Sequence, residues 1–172
     1  MTTLPSLTLV LGGARSGKSR HAETLVLSAG ATPLYFATGE PRDGEMAARI
    51  QRHRERRGTD WRTVEEPLEL ATALTREATP DTAVLVDCLT LWLGNLMGAD
   101  RDVEAEIAAL VAVLPKLPGP VVLVSNEVGQ GIVPDNALAR RFRDQAGLLH
   151  QEIAAIANRV DFVTAGIPRR LK

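Results

Sequence analysis

Near the N-terminus, Gly12-Gly13-Ala14-Arg15-Ser16-Gly17-Lys18-Ser19 has residue types and spacing suited to holding the phosphates of a nucleotide. The run fits G-x-x-x-x-G-K-[ST], and each part has a physical task. Glycines let the backbone close around phosphate oxygens, where successive N–H groups and the start of a following helix supply a positive field. Lys18 can bridge β- and γ-phosphate oxygens, and the Ser19 hydroxyl can ligate Mg²⁺. A chance glycine-rich turn is the alternative. The apolar run Leu7–Leu11 before the loop and the helical pattern after it argue against chance.

Asp87 ends a second apolar run, Ala83-Val84-Leu85-Val86. A carboxylate there can hold Mg²⁺ directly or through water, complementing Ser19. It could instead cap the helix that follows, a position Asp favours. His21 and His150 fall in helical patterns and read as packing or surface residues. His53 differs in its surroundings, because Arg49, Arg52, Arg54, Arg56 and Arg57 flank it. Neighbouring cations disfavour imidazolium and bias it toward the neutral, nucleophilic form. The same arginines could neutralise a phosphate. From these residues alone, a histidine on a basic helix is more often simply exposed.

The elements that must position these groups alternate along the chain. Strands are predicted at Leu7–Leu11, Pro33–Ala37, Trp61–Val64, Ala83–Asp87, Val121–Ser125 and Val160–Val163. Helices are predicted at Lys18–Ser28, Glu45–Arg57, about Pro67–Glu77, Leu89–Met97, Asp102–Leu114 and Asn136–Asn158. On Glu45–Arg57, Met46, Ile50 and His53 share one face. Such alternation predicts an α/β fold, a mostly parallel sheet with helices on both faces, in which ligands bind beyond the carboxyl ends of the strands. The phosphate motif, Asp87 and the Asn126-Glu127 pair all follow strands. Asn126 and Glu127 could position an acceptor hydroxyl or a water, or merely shape the loop.

The 172 residues suit a single domain, residues 1–172, with no linker long enough to separate two. With 20 Lys+Arg against 21 Asp+Glu, the net charge of −1 gives no global reason to expect nucleic acid or anionic membrane as partner. A single cysteine, Cys88, excludes an internal disulfide and suits a reducing cytoplasm. No apolar run approaches the roughly 20 residues a membrane span needs, and no signal peptide is legible.

Several stretches together resemble the bifunctional adenosylcobinamide kinase/adenosylcobinamide-phosphate guanylyltransferase family of cobalamin biosynthesis. They are GGARSGKSRHAE (Gly12–Glu23), EMAARIQRH (Glu45–His53), WRTVEEP (Trp61–Pro67), VDCLTLWLGNL (Val86–Leu96) and SNEVGQGIVPDNALARRFRDQAG (Ser125–Gly147). The resemblance implies a P-loop NTPase-like fold and two reactions in one site. The aminopropanol hydroxyl of adenosylcobinamide is phosphorylated by ATP or GTP. GMP from GTP is then passed to that phosphate, giving adenosylcobinamide-GDP and pyrophosphate.

The resemblance also implies a covalent guanylyl intermediate on the histidine of E-M-x-x-R-I-x-x-H, here His53. It places Thr38, Gly39, Glu40, Arg54, Glu55, Arg56, Arg57, Glu65 and Asp87 around the guanine nucleotide, with Lys18 handling its phosphates. It implies a homo-oligomer, such as a trimer, with the corrinoid near subunit boundaries; the cysteine usage and lack of a legible signal or span predict a protein of the cytoplasm. Passage through a histidine would require its helix to approach the P-loop, and the loop Gly39–Gly44 is the expected hinge. Where some relatives carry a second histidine, this chain has Arg52. Two other readings remain open on the residues alone: a monofunctional P-loop kinase, which would not need His53, and a nucleotide-dependent switch.

Overall fold

The computed structural model describes residues 4–40, 44, 48, 51, 55, 58 and 60–172. Within them runs one seven-stranded sheet in the order β3-β2-β4-β5-β1-β6-β7. Its strands are β1 (Leu7–Gly12), β2 (Thr32–Ala37), β3 (Arg62–Glu65), β4 (Thr82–Asp87), β5 (Val121–Asn126), β6 (Arg159–Thr164) and β7 (Ile167–Arg170). All neighbouring pairs are parallel except β6 with β7. The helices are α1 (Lys18–Leu27), α2 (Leu70–Glu77), α3 (Leu89–Gly98), α4 (Val103–Val113) and α5 (Ala137–Ile156). The expected helix Glu45–Arg57 lies largely outside the described residues, and so do Met46, Arg49, Ile50, Arg52, His53, Arg54, Arg56 and Arg57. Part of the expected hinge Gly39–Gly44 also lies outside them.

The central strands β1, β4 and β5 are buried almost throughout, as strands covered on both faces must be. Alternation divides their side chains between two cores. Leu7, Leu9, Leu11, Val84, Val86, Val121 and Leu123 join Leu70, Leu74, Trp92, Leu96, Leu110 and Leu149, beneath α2 to α5. Val10, Leu85, Val122 and Val124 join Ala22 and Val26 of α1, with Tyr35 and Trp61. The Tyr35 and Trp61 rings meet edge to face at a centroid distance of 6.1 Å.

Helix starts follow local chemistry. Asp102 caps α4 by accepting from Ala105 N at 3.1 Å, and Asn136 caps α5 by accepting from Ala139 N at 2.8 Å. The expected helix from Pro67 begins instead at Leu70, because Glu66 Oε1 accepts from the backbone N–H groups of Leu68 and Glu69 and holds a turn there. Among the described residues, no side chain caps the start of α1. A helix N-terminus of this kind suits an anionic partner.

β7 was not anticipated from the sequence. Ala165 (φ 51°) and Gly166 (φ 78°) form a two-residue turn with positive φ at both positions, the geometry that returns a strand upon its neighbour. Thr164 then pairs with Ile167, and the chain closes back along β6 to Asp161 opposite Arg170. Among the described residues, no helix is long and apolar enough to cross a membrane.

Candidate functional site

The carboxyl ends of β1 to β5 open on one side of the sheet, and register brings the expected groups there together. Gly12 lies opposite Asn126, and Ala37 opposite both Asp87 and Glu65. The phosphate loop leaves β1 at Gly12 and closes with Ser16 N donating to Gly13 O at 3.3 Å. Arg15 (φ 54°) and Gly17 (φ 95°) both take left-handed backbone, which turns the chain into α1. Lys18 is buried, and its Nζ donates to Gly13 O at 3.0 Å.

The loop is clamped from two sides. Glu127 N donates to Gly12 O at 3.0 Å, and Gly166 N donates to Ser16 O at 2.7 Å. The unanticipated β6–β7 turn is therefore a buttress of the loop. A Cβ on Gly12 would sit 2.6 Å from both Val163 O and Ser16 Oγ, so only glycine fits there. Beyond the same hairpin, Phe162, Ile167 and Leu171 with Gln130 and Arg169 line an open cleft of about 650 Å³.

Behind the loop lies a polar lattice that pattern reading did not reveal. Thr38 is fully buried; its hydroxyl donates to Cys88 O at 2.8 Å and accepts from Cys88 N at 2.9 Å. Asn95 Nδ2 reaches Thr38 O at 2.7 Å and Pro67 O at 3.1 Å. Thr90 Oγ1 lies 3.1 Å from Cys88 Sγ and accepts from Asn126 Nδ2 at 2.9 Å. These bonds tie the ends of β2, β4 and β5 to α3. Burial raises the Cys88 thiol pKa, and the Asp87 carboxylate adds to that, so Cys88 stays a thiol and a packing residue.

Asp87 is half-buried at the end of β4 and accepts from Tyr35 OH at 3.2 Å. Ser19 and Asp87 offer hydroxyl and carboxylate oxygen, the hard donors Mg²⁺ takes. No group of three or more His, Cys, Asp or Glu among the described residues could form a metal cage. A cation here would complete its shell from phosphate and water, and that donor set fits Mg²⁺.

Other expected residues divide by position. Gly39 and Glu40 follow β2 and are half-buried; Glu65 is exposed at the end of the edge strand β3. The hydroxyl of Thr38 is committed to the Cys88 backbone. Glu55 is exposed, with Oε1 accepting from Gln51 Nε2 at 2.9 Å. His53, Arg54, Arg56 and Arg57 fall outside the described residues.

The two remaining histidines serve the scaffold. His21 Nε2 meets buried Asp161 Oδ2 at 2.7 Å, tying α1 to β6. Arg159 and Arg170 bind the same carboxylate. His150, buried on α5, has Nε2 2.7 Å from Ser125 Oγ and Nδ1 3.9 Å from Glu127 Oε2. Burial lowers its pKa, with Glu127 opposing more weakly. Glu127 Oε1 in turn accepts from Gly129 N.

The chain matches the model of the family described as cobinamide kinase / cobinamide phosphate guanyltransferase over residues 8–171. It is 52% identical over 166 residues to the bifunctional adenosylcobalamin biosynthesis protein CobP of Pseudomonas aeruginosa, spanning 95% of this chain and 96% of that one. It is 46% identical over 179 residues to the bifunctional adenosylcobalamin biosynthesis protein CobU of Salmonella typhimurium, spanning 95% and 98%. Among solved structures, an ATPase of a bacterial type III secretion system superposes with TM-score 0.57 at 11% identity, covering 92% of this chain and 51% of that one. The flagellar accessory protein FlaH of Methanocaldococcus jannaschii gives TM-score 0.53 at 11% identity, covering 98% and 80%. These superpositions speak to the fold alone, that of the P-loop NTPases. The chain belongs to the cobinamide kinase / cobinamide phosphate guanyltransferase family.

Proposed function

We propose that this chain, acting as one catalytic domain, carries out both reactions of its family at the Gly12–Ser19 loop, with His53 as the guanylyl carrier. The match to the family over residues 8–171 carries the reading. In the first reaction the aminopropanol hydroxyl of adenosylcobinamide attacks the γ-phosphorus of ATP or GTP, and the nucleoside diphosphate leaves. In the second, neutral His53 attacks the α-phosphorus of GTP. The new N–P bond forms as the α–β P–O bond breaks, and pyrophosphate departs with the electron pair. A phosphate oxygen of adenosylcobinamide-phosphate then displaces the histidine, giving adenosylcobinamide-GDP.

The loop N–H groups and Lys18 hold the phosphates and stabilise the leaving group in each reaction. Ser19 and Asp87 would hold Mg²⁺, which when bound would neutralise charge on the phosphates. Gly39, Glu40, Arg54, Glu55, Arg56, Arg57 and Glu65 surround the guanine nucleotide, and a carboxylate such as Glu65 can accept from guanine N1–H and the exocyclic amine together. Thr38 takes part through its backbone, since its side chain is engaged elsewhere. The protein works in the cytoplasm as a homo-oligomer.

The test is incubation with adenosylcobinamide and GTP, with the corrinoid products separated. The reading expects the phosphate first and the GDP product after it. Accumulation of the phosphate alone would leave a monofunctional kinase in its place.

A further inference from the structure

Asn126 ends β5, the strand between β1 and β4, and so stands between the phosphate loop and Asp87. In register it lies opposite Gly12, the first residue of that loop. Alternation puts its side chain on the face of Val122 and Val124, which pack with α1, the helix the loop opens. The amide meets two acceptors on one side: Nδ2 lies 2.9 Å from Thr90 Oγ1 and 3.8 Å from Cys88 Sγ. Facing Nδ2 that way uses the donors of the amide and sends Oδ1 to the other side. There Oδ1 is buried and, among the described residues, has no hydrogen-bond partner.

A buried carbonyl oxygen without a donor keeps its desolvation cost uncompensated, and folded proteins keep few of them. What would satisfy it is chemically restricted. Phosphate oxygens only accept, so the nucleotide held by the loop cannot pair with Oδ1. A donor, O–H or N–H, is required. The kinase reaction brings one to this end of the sheet, the hydroxyl that attacks the γ-phosphorus. The second reaction does not, because its acceptor is already a phosphate.

We propose that Asn126 Oδ1 accepts a hydrogen bond from the acceptor hydroxyl and aims that oxygen at the γ-phosphorus, with Thr90 fixing the amide. An amide oxygen is too weak a base to keep the proton, so the role is orientation. The oxygen–phosphorus bond forms as the bond from γ-phosphorus to the bridging oxygen breaks. The diphosphate leaves with the electron pair, and the hydroxyl proton passes to a phosphate oxygen or to solvent. Asn126 thereby serves the kinase step and not the guanylyl step.

This inference rests on the two-reaction reading above, and one set of assays separates the two. The unsubstituted protein and the variants Asn126→Ala and Thr90→Val are assayed for phosphorylation of adenosylcobinamide. In parallel they are assayed for guanylyl transfer to pre-formed adenosylcobinamide-phosphate, with GTP affinity measured separately. Loss of one orienting hydrogen bond is expected to lower the kinase kcat of Asn126→Ala about 10- to 100-fold. The ratio of kinase to guanylyl turnover should fall at least about tenfold. GTP affinity should stay within about twofold. Thr90→Val, which keeps the shape but frees the amide, should lower the same ratio about threefold or more. Equal losses in both reactions, as from a general distortion or a lost water on the metal, would overturn the assignment. So would an unchanged ratio in either variant. Failure of the unsubstituted protein to convert adenosylcobinamide would instead strike the two-reaction reading.

Discussion

Lys18 Nζ donates to Gly13 O at 3.0 Å, so the lysine folds back across its own loop and stays buried. The ammonium is thus held where the phosphates of a nucleotide are to lie. Bound phosphate must draw it from the carbonyl, and the exchange is favourable because a charge-assisted bond replaces a neutral acceptor. Replacing Lys18 with Met is expected to lower both turnover rates by about 10²–10³-fold, while circular dichroism and unfolding stay close to the unsubstituted protein. Loss of only one activity would show that two different phosphate sites are in use.

Gly12 is the second sensitive point of the loop. A methyl group there meets the Val163 carbonyl oxygen, which is fixed by the sheet and cannot swing aside. Gly12→Ala is expected to destabilise the fold by about 1–3 kcal/mol and to weaken nucleotide binding, checked by urea unfolding and by titration with GTP. An alanine variant with full stability and affinity would mean that β6 yields more easily than its pairing suggests.

Asp161 binds His21, Arg159 and Arg170 while itself 1% exposed. Burial pushes its pKa up, but the bonds from Arg159 and His21 outweigh that and hold it below the ordinary value of 3.8. A carboxyl depressed in the folded state adds stability above its unfolded pKa and loses it as pH falls through the folded pKa. Acid unfolding below about pH 4 should therefore be blunted in Asp161→Asn. At neutral pH the same variant should be less stable by about 3 kcal/mol, since it leaves a partly buried cation unpaired. Equal stability at neutral pH would show that the ion cluster only fills space.

His150 has the opposite sense. Its pKa lies below the ordinary 6.5 because burial disfavours the charged ring. The folded state then binds fewer protons than the unfolded chain. Stability is complete above about pH 6.5 and declines as pH falls from there toward the folded pKa. Unfolding free energy measured between about pH 7.5 and about pH 5 should show this slope, and His150→Gln, which can still reach Ser125, should lose it. A slope unchanged in that variant would assign it to another group.

The strands and the phosphate loop were legible because they are local signals: β-branched runs buried on both faces, and glycines at fixed spacing. β7 was not, since Ile167-Pro168-Arg169-Arg170 is exposed throughout and carries no burial pattern. Only the Ala165-Gly166 turn could have hinted at it. The lattice joining Thr38, Cys88, Thr90 and Asn126 was equally hidden, because Thr38 and Cys88 are 50 residues apart and meet only through the register of β2 with β4. His21 and His150 read as packing or surface residues, but their partners Asp161 and Ser125 lie 140 and 25 residues away and could not be named. Thr38 came from family resemblance as a nucleotide contact, yet sequence has no means of showing that its hydroxyl turns inward.

The central claim is that GMP travels through His53. It is tested most directly by incubating the protein with α-labelled GTP and examining the denatured chain. Label that is acid-labile and base-stable, released by adenosylcobinamide-phosphate and absent in His53→Ala, is the expected result. A chain that makes adenosylcobinamide-GDP at full rate with His53 replaced, or that never carries label during turnover, would contradict it.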